Sequence, residues 1–207
     1  MKTFKRIFLL GLVLVVLSSC AKVFYSQDAN VLAQKQKMIA IVPPTVSIAP
    51  NKKIDAEALR EQQKTESLNF QKEMYAWMLK RKMQGKISQE IQETEITNIK
   101  LKKAGYPETA LTPGEICEVL GVDGIMNSNY SLSKPMSEGA ALAIGVVFGT
   151  WGSTNNVVIS LHINDCSSKK LIYNYDHKYS GGIGSSPARL VDELMRDASK
   201  KMPYIKY

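Results

Sequence analysis

Two histidines and three cysteines are the side chains of this 207-residue chain best equipped for chemistry. His162 lies in the run Val157–Asn164, where period-two alternation puts it on the polar side with Ser160 and Asn164. His177 falls in a second alternating run, in register with Tyr173, Tyr175 and Tyr179. Neither has a serine or cysteine partner in a hydrolase motif, and no Gly-x-Ser-x-Gly elbow occurs, so nucleophilic catalysis has no carrier. A zinc site needs clustered thiolates and imidazoles, and the chain has no Cys-x-x-Cys and no Cys/His cluster. Glu90, Glu93 and Glu95 read as a solvated edge rather than a paired acid and base. Gly181-Gly182-Ile183-Gly184-Ser185-Ser186 precedes a helix but lacks the Gly-Lys-Ser/Thr of a phosphate-binding loop, and reads as a connection. The expectation is therefore no catalytic residue, no cofactor and no metal.

Cys20 carries a different chemistry. Lys2, Lys5 and Arg6 form a basic start, Ile7–Leu17 is an apolar run, and Leu17-Ser18-Ser19-Cys20 follows. About eleven apolar residues are too few for a mature spanning helix, which needs roughly 20, but suit a signal-peptide core. The Leu-Ser-Ser-Cys string resembles the lipobox of bacterial lipoproteins. That resemblance implies diacylation of Cys20, removal of residues 1–19 and acylation of the new amino terminus. Two or three acyl chains make a stable anchor where one is marginal. The expected first partner is thus a membrane, reached through the N-terminal lipid. Ala21-Lys22 has no aspartate to signal inner-membrane retention, and residues 21–30 carry no acidic cluster, so the expected place is the outer membrane, periplasmic face.

Cleavage would leave 188 residues and lower the formal charge from +8 to +5. That suits one domain with a mild basic excess that could favour an anionic surface. Nucleic acid is excluded as a partner class, because no dense Lys/Arg stripe with interleaved aromatics is present. With Cys20 acylated, Cys117 and Cys166 remain. An export compartment permits a disulfide between them, and the sequence leaves open whether they are bridged or are buried free thiols.

The elements that must position these residues follow from pattern. Residues 20–37, polar and without period, read as a tether. Met38–Val42 is a short apolar run stopped by Pro43-Pro44, as in a strand buried on both faces. Residues 45–54 read as a loop. Asp55 caps a helix to about Gln84, with Phe70, Met74, Trp77 and Met78 as its packing stripe. Ile87–Thr94 predicts a second strand and Thr97–Ala104 a short helix. Thr112-Pro113-Gly114-Glu115 is a capping box that starts a helix to Leu120. Ile125–Ser133 alternates as a strand. Val157–Asn164 and Leu171–Tyr179 form a hairpin about Asp165–Lys170, and Ser186-Pro187 opens a last helix. This order predicts an α/β, three-layer domain over residues 38–207, with a mixed sheet of about five strands flanked by helices.

The strings Ile41-Val42-Pro43-Pro44, Leu120–Ile125, Asp165–Tyr173 and Lys200–Tyr204 resemble envelope lipoproteins with the TolB amino-terminal fold. The curli secretion channel lipoprotein and the penicillin-binding-protein activator lipoproteins share that fold. Thr94–Tyr204 also resembles uncharacterised lipoproteins, most closely at Lys134–Ala140. The resemblance implies a non-enzymatic binding or assembly module that engages another envelope component or itself. Its alternative implication is an oligomeric secretion or pore-forming subunit. Inserted at 134–156 is a charge-free stretch, Gly139–Gly152, too short to span a bilayer as a helix and without the alternation of a membrane strand. Its apolar residues Leu142, Ile144, Val146, Val147, Phe148 and Trp151 are expected to cover the sheet or, in the sharper reading, to touch a membrane or a neighbouring subunit.

Overall fold

A computed structural model describes residues 21–49, 55–133, 155–181 and 186–206. The described chain forms seven strands: β1 (Lys22–Tyr25), β2 (Met38–Ile41), β3 (Thr45–Ile48), β4 (Glu90–Ile91), β5 (Gly124–Leu132), β6 (Asn155–Asp165) and β7 (Lys170–Gly181). Five helices accompany them: α1 (Ala29–Lys35), α2 (Ala56–Met83), α3 (Thr94–Lys103), α4 (Pro113–Leu120) and α5 (Pro187–Ala198). The strands make one mixed sheet in the order β1-β7-β6-β5-β2-β4, with β3 also paired to β5. The α/β class, the mixed sheet and the flanking helices match the sequence reading, with seven strands where about five were expected.

The two additional strands have separate origins. β3 lies in what reads as a loop, and it pairs parallel to the last residues of β5 while β2 pairs to the first ones. Pro43 and Pro44 have no N–H to donate, so they break one long strand into two collinear pieces. β1 corrects the expected tether. Residues 22–25 pair antiparallel with β7, and Ala29 and Ala33 of α1 are fully buried in the core. Brevity hides these elements from a periodicity search, since the four-residue edge strand β1 exposes Lys22, Phe24 and Tyr25 together and shows no alternating face.

Helices cover both faces of the sheet. On the first, α2 brings Phe70, Met74 and Met78, and α5 brings Leu190, Val191, Leu194 and Met195, against Tyr130, Ile159, Leu161 and Tyr173. The Phe70 ring stacks on Tyr130 at 4.1 Å, and the Tyr130 and Ser128 hydroxyls both reach the Met74 sulfur. Asp55 caps α2 through the N–H groups of Glu57 and Ala58, and Ser186 with Pro187 starts α5 as the sequence indicates. On the second face, α3 and α4 pack Leu101, Ile116 and Leu120 over Ala40, Val42 and Ile125. The Thr112–Glu115 capping box is formed, and Gly121 closes α4 in the left-handed conformation at φ 63°.

Cys117 of α4 and Cys166 beyond β6 are joined by a disulfide, with Cα atoms 5.5 Å apart, fastening the second helical layer to the hairpin. The hairpin carries a bulge. Ile163 faces Tyr173 and Asn164 faces Leu171, so Ile172 is the extra residue. This shift buries Ile172 and leaves Leu171 37% exposed. At the same end of the sheet, Gln36 Nε2 donates to Asp165 Oδ1 at 2.7 Å, and the Tyr204 hydroxyl donates to Gln36 Oε1 at 2.5 Å. This buried node ties the segment before β2, the β6–β7 turn and the C-terminal segment together.

Candidate functional site

Strand register fixes where the chemistry-bearing residues lie. Along β5, β6 and β7 one set of partners, Met126–Ile163–Tyr173, Ser128–Leu161–Tyr175 and Tyr130–Ile159–His177, faces the helices α2 and α5. The alternate set faces the other way. One row reads Asn127–His162–Asn174–Phe24 across β5, β6, β7 and β1. The next reads Thr45–Asn129–Ser160–Asp176–Lys22 across β3, β5, β6, β7 and β1.

Helices α3 and α4 cover only the β2 side of this second face, over Ala40, Val42 and Ile125. Beyond them Asn129, Ser131, Val158, Lys178, Thr45 and Phe24 are exposed, and Asn127, Ser160, His162, Asn174 and Asp176 are half-buried. Tyr106, half-buried after α3, hydrogen-bonds Thr45 at one margin, and Phe24 stands 50% exposed at the other. The result is a shelf of amides and hydroxyls between two aromatic rims.

His162 is the titratable centre of the shelf. Partial burial lowers its pKa below the ordinary imidazole value, and the nearby Asp176 carboxylate offsets part of that. The shift favours the neutral imidazole, which has one donor and one acceptor. Asn174 Nδ2 donates to Asp176 Oδ2 at 2.8 Å, which fixes the orientation of that amide. The Oδ1 atoms of Asn127 and Asn174, on either side of His162, are buried without a hydrogen-bond partner. Ser160, His162 and Asp176 share the face, two residues apart on β6 and opposite on β7, and no hydrogen bond joins Ser160 to His162.

The other residues singled out in the sequence are dispersed. His177 lies on the core-facing side, its ring 4.2 Å from Tyr179 and 6.0 Å from Tyr175. Glu90 pairs with Lys82 at 2.6 Å, Glu93 is the N-cap of α3 and Glu95 stands in its first turn. Among the described residues no group of three or more His, Cys, Asp or Glu could hold a metal ion. Cys20 and the six residues Leu142, Ile144, Val146, Val147, Phe148 and Trp151 lie outside the described residues. Asn127, Asn174, Asp176 and Phe24 were not singled out in the sequence. The alternation of β5 and β7 contains them, but which polar sets meet depends on register between distant strands.

The ends of the described strands also group. β1 runs antiparallel to β7 with Lys22 opposite Asp176, so the chain before Lys22 points toward the Gly181 end of β7. Leu132 of β5, Val157 of β6 and Ile48 of β3 lie at that same end. The stretches 1–20, 50–54, 134–154 and 182–185 therefore all leave the sheet at one end.

No family model and no curated protein matches the chain. Solved structures do show likeness. Lipoprotein GNA1162 from Neisseria meningitidis is similar at 13% identity, over 80% of this chain and 97% of that one, with a TM-score of 0.44. The PelC dodecamer from Paraburkholderia phytofirmans is similar at 8% identity, over 91% and 99%, with a TM-score of 0.38. The LpoB C-terminal domain from Salmonella enterica is similar at 8% identity, over 69% and 82%, with a TM-score of 0.32. Likeness of this degree does not transfer a function.

Proposed function

We propose that this chain is a non-enzymatic lipoprotein of the bacterial cell envelope, anchored through Cys20 at the periplasmic face of the outer membrane and serving as a binding or assembly module. We place it with the TolB-amino-terminal-like lipoproteins on the strings Ile41–Pro44 and Asp165–Tyr173. The observation that carries the reading is the shared end of the sheet. The lipobox cysteine stands two residues before β1, and the stems of the apolar insertion, Ser133 and Asn155, leave the sheet at that same end. This supports a reading in which an acyl anchor on Cys20 holds that end of the sheet toward the bilayer.

The physical case against the insertion as a cover for the sheet is one of matching surfaces. Helices α2 and α5 already fill the apolar face, where Met126, Ile159, Leu161 and Tyr173 are fully buried. The other face presents Asn, Ser and His. Among the described residues that face offers Val158 and Phe24 as its exposed apolar side chains, a small area beside Leu142, Ile144, Val146, Val147, Phe148 and Trp151, which supports a membrane or a neighbouring subunit as their partner.

The test joins acylation to flotation. Metabolic labelling with an alkyne fatty acid tags the wild type and not Cys20→Ser, which stays uncut. Val146→Asp leaves the domain folded by far-UV circular dichroism and weakens flotation of the lipidated chain with liposomes. Equal labelling of wild type and Cys20→Ser removes the anchor. An unfolded Val146→Asp domain returns the insertion to a covering role.

A further inference from the structure

We propose that the mature domain has no tether and lies directly on the bilayer that holds its acyl chains, with the β1–β7 margin of the open face in the headgroup layer. Lys22, Phe24, Lys178 and Val158 make the contact. On the lipoprotein reading, from which this follows, Cys20 carries the anchor, and the fold begins at the very next residue. Ala21 packs against the helix-covered core, as does Val23, and Lys22–Tyr25 pair with Asp176–Tyr173. The following residues are held as well. Ser26 N donates to Ile172 O at 3.1 Å, Lys170 pairs with Asp28 at 3.3 Å, and Ala29 and Ala33 are fully buried. Paying out a leash would strip all of these from the sheet.

Covalent geometry sets the distance. Consecutive Cα atoms are about 3.8 Å apart, so Cys20 stands one such step from a residue of the core, and Lys22 lies within about 7.6 Å of it. The headgroup layer on each side of the hydrocarbon is about 5–7 Å deep. A cysteine acylated into that hydrocarbon therefore holds Lys22 at headgroup depth. A free chain over residues 21–37 would instead have allowed a stand-off of about 55–60 Å.

The pleat chooses the side. With Ala21 and Val23 turned to the core, Lys22 and Phe24 turn to the open face. Lys178 and its β6 partner Val158 stand one row nearer Gly181, the end at which the chain before Lys22 leaves the sheet. Phe24 is 50% and Val158 46% exposed, and both lysines are exposed. Asp176, the carboxylate between the lysines, is half-buried and accepts from Asn174 Nδ2 at 2.8 Å. An aromatic ring and a branched aliphatic suit the boundary between acyl chains and headgroups, and lysines beside them extend to lipid phosphate. The opposite side of the sheet is covered by α5, whose outer surface carries the exposed Asp192–Arg196 ion pair instead.

The experiment reconstitutes the full lipidated chain in vesicles of phosphatidylethanolamine and phosphatidylglycerol, after the acyl mass on Cys20 has been checked. A bimane label is placed in turn at Ser131→Cys, level with Val158 on the open face, at Lys72→Cys on α2, and at Lys201→Cys beyond α5. The Cys117–Cys166 disulfide stays oxidised and unlabelled. Lipids carrying a nitroxide near the headgroup should quench the Ser131 label about threefold more than either of the others. Phe24→Ser combined with Lys22→Glu and Lys178→Glu should cut that quenching by about half, with circular dichroism and acyl mass as in the wild type. Equal quenching at Ser131 and Lys72, or none at Ser131 in a chain of confirmed acyl mass, overturns the docking and leaves the anchor intact. Quenching that the triple variant leaves unchanged overturns it too. A chain without acyl mass overturns the anchor, and the docking with it. If the triple variant fails to fold, Lys22→Gln with Lys178→Gln, both at exposed positions, supplies the same comparison.

Discussion

Gly124, the first residue of β5, is packed so closely that a single methyl group there should be among the most damaging small changes in the protein. A Cβ at this position would lie 2.8 Å from the Tyr204 hydroxyl and 2.7 Å from Gln36 Cδ, and closer still to Gln36 Oε1. Gln36 has no room to yield, because its amide is held by Asp165 on one side and by Tyr204 on the other, with all three side chains buried. Gly124→Ala therefore breaks both hydrogen bonds and leaves buried polar groups unsatisfied, at about 1–3 kcal/mol each. Overpacking adds about 1–3 kcal/mol, and the reduced freedom of the unfolded chain returns about 0.4–1. The net loss is about 3–5 kcal/mol, which lowers Tm by roughly 10–15 °C for a domain of this size. Urea unfolding followed by the fluorescence of Trp77, in the core, reads it directly. The cause is isolated by a double-mutant cycle with Gln36→Ala, which removes the obstructing amide. The pair should destabilise by about 2 kcal/mol less than the sum of the single changes. Additive effects, or a Gly124→Ala domain within about 0.5 kcal/mol of the wild type, refute the reasoning.

Three further outcomes follow from neighbouring features. Replacing Cys117 and Cys166 together by serine removes a link spanning 49 residues, worth about 4 kcal/mol on the chain-entropy account, and thiol titration of the unfolded wild type under non-reducing conditions should find neither of them free. Burial alone would raise the Asp165 carboxyl, but hydrogen bonds from Gln36, Ser168 and Ser167 outweigh it and hold its pKa below the usual value. Its stabilising effect is therefore complete above an unfolded pKa of about 3.9 and is lost as pH falls through the folded value, so Asp165→Asn should be less stable than wild type at pH 7, with a gap in urea midpoint that narrows below about pH 4. Thr112→Ala, which removes half of the capping box, should cost about 1 kcal/mol by thermal melting while α4 stays in place.

What could be seen in the sequence was local. Asp55, Thr112 with Glu115, and Ser186 with Pro187 mark three helix starts because a cap is satisfied within four residues. Strands β5, β6 and the core of β7 show themselves by alternation, since one face meets α2 and α5. Features that depend on distant partners were hidden. β3 exists because β5 extends past the prolines to receive it, and β1 because β7 offers an unpaired edge. The bulge that exchanges Leu171 for Ile172 is likewise a matter of pairing, not of composition. The polar alternation that put His162 beside Ser160 was legible, whereas its position between Asn127 and Asn174 required the register of three strands. Cys117 and Cys166 could be counted but not paired, because α4 meets the hairpin only through the packed sheet.

The place of β1 bears on the order of events during export. On the lipoprotein reading, its four residues are among the first of the mature chain to be synthesised, and also the part kept beside the leader until cleavage and acylation free Cys20. On that reading, Lys22–Tyr25 dock along Tyr173–Asp176 last. Until that moment the remaining strands must assemble with β7 as a bare edge, its donors and acceptors open to any extended segment nearby. Maturation of the amino terminus would then cover the Tyr173–Asp176 part of that edge, and a precursor blocked in processing would be not merely mislocalised but prone to join its neighbours strand to strand.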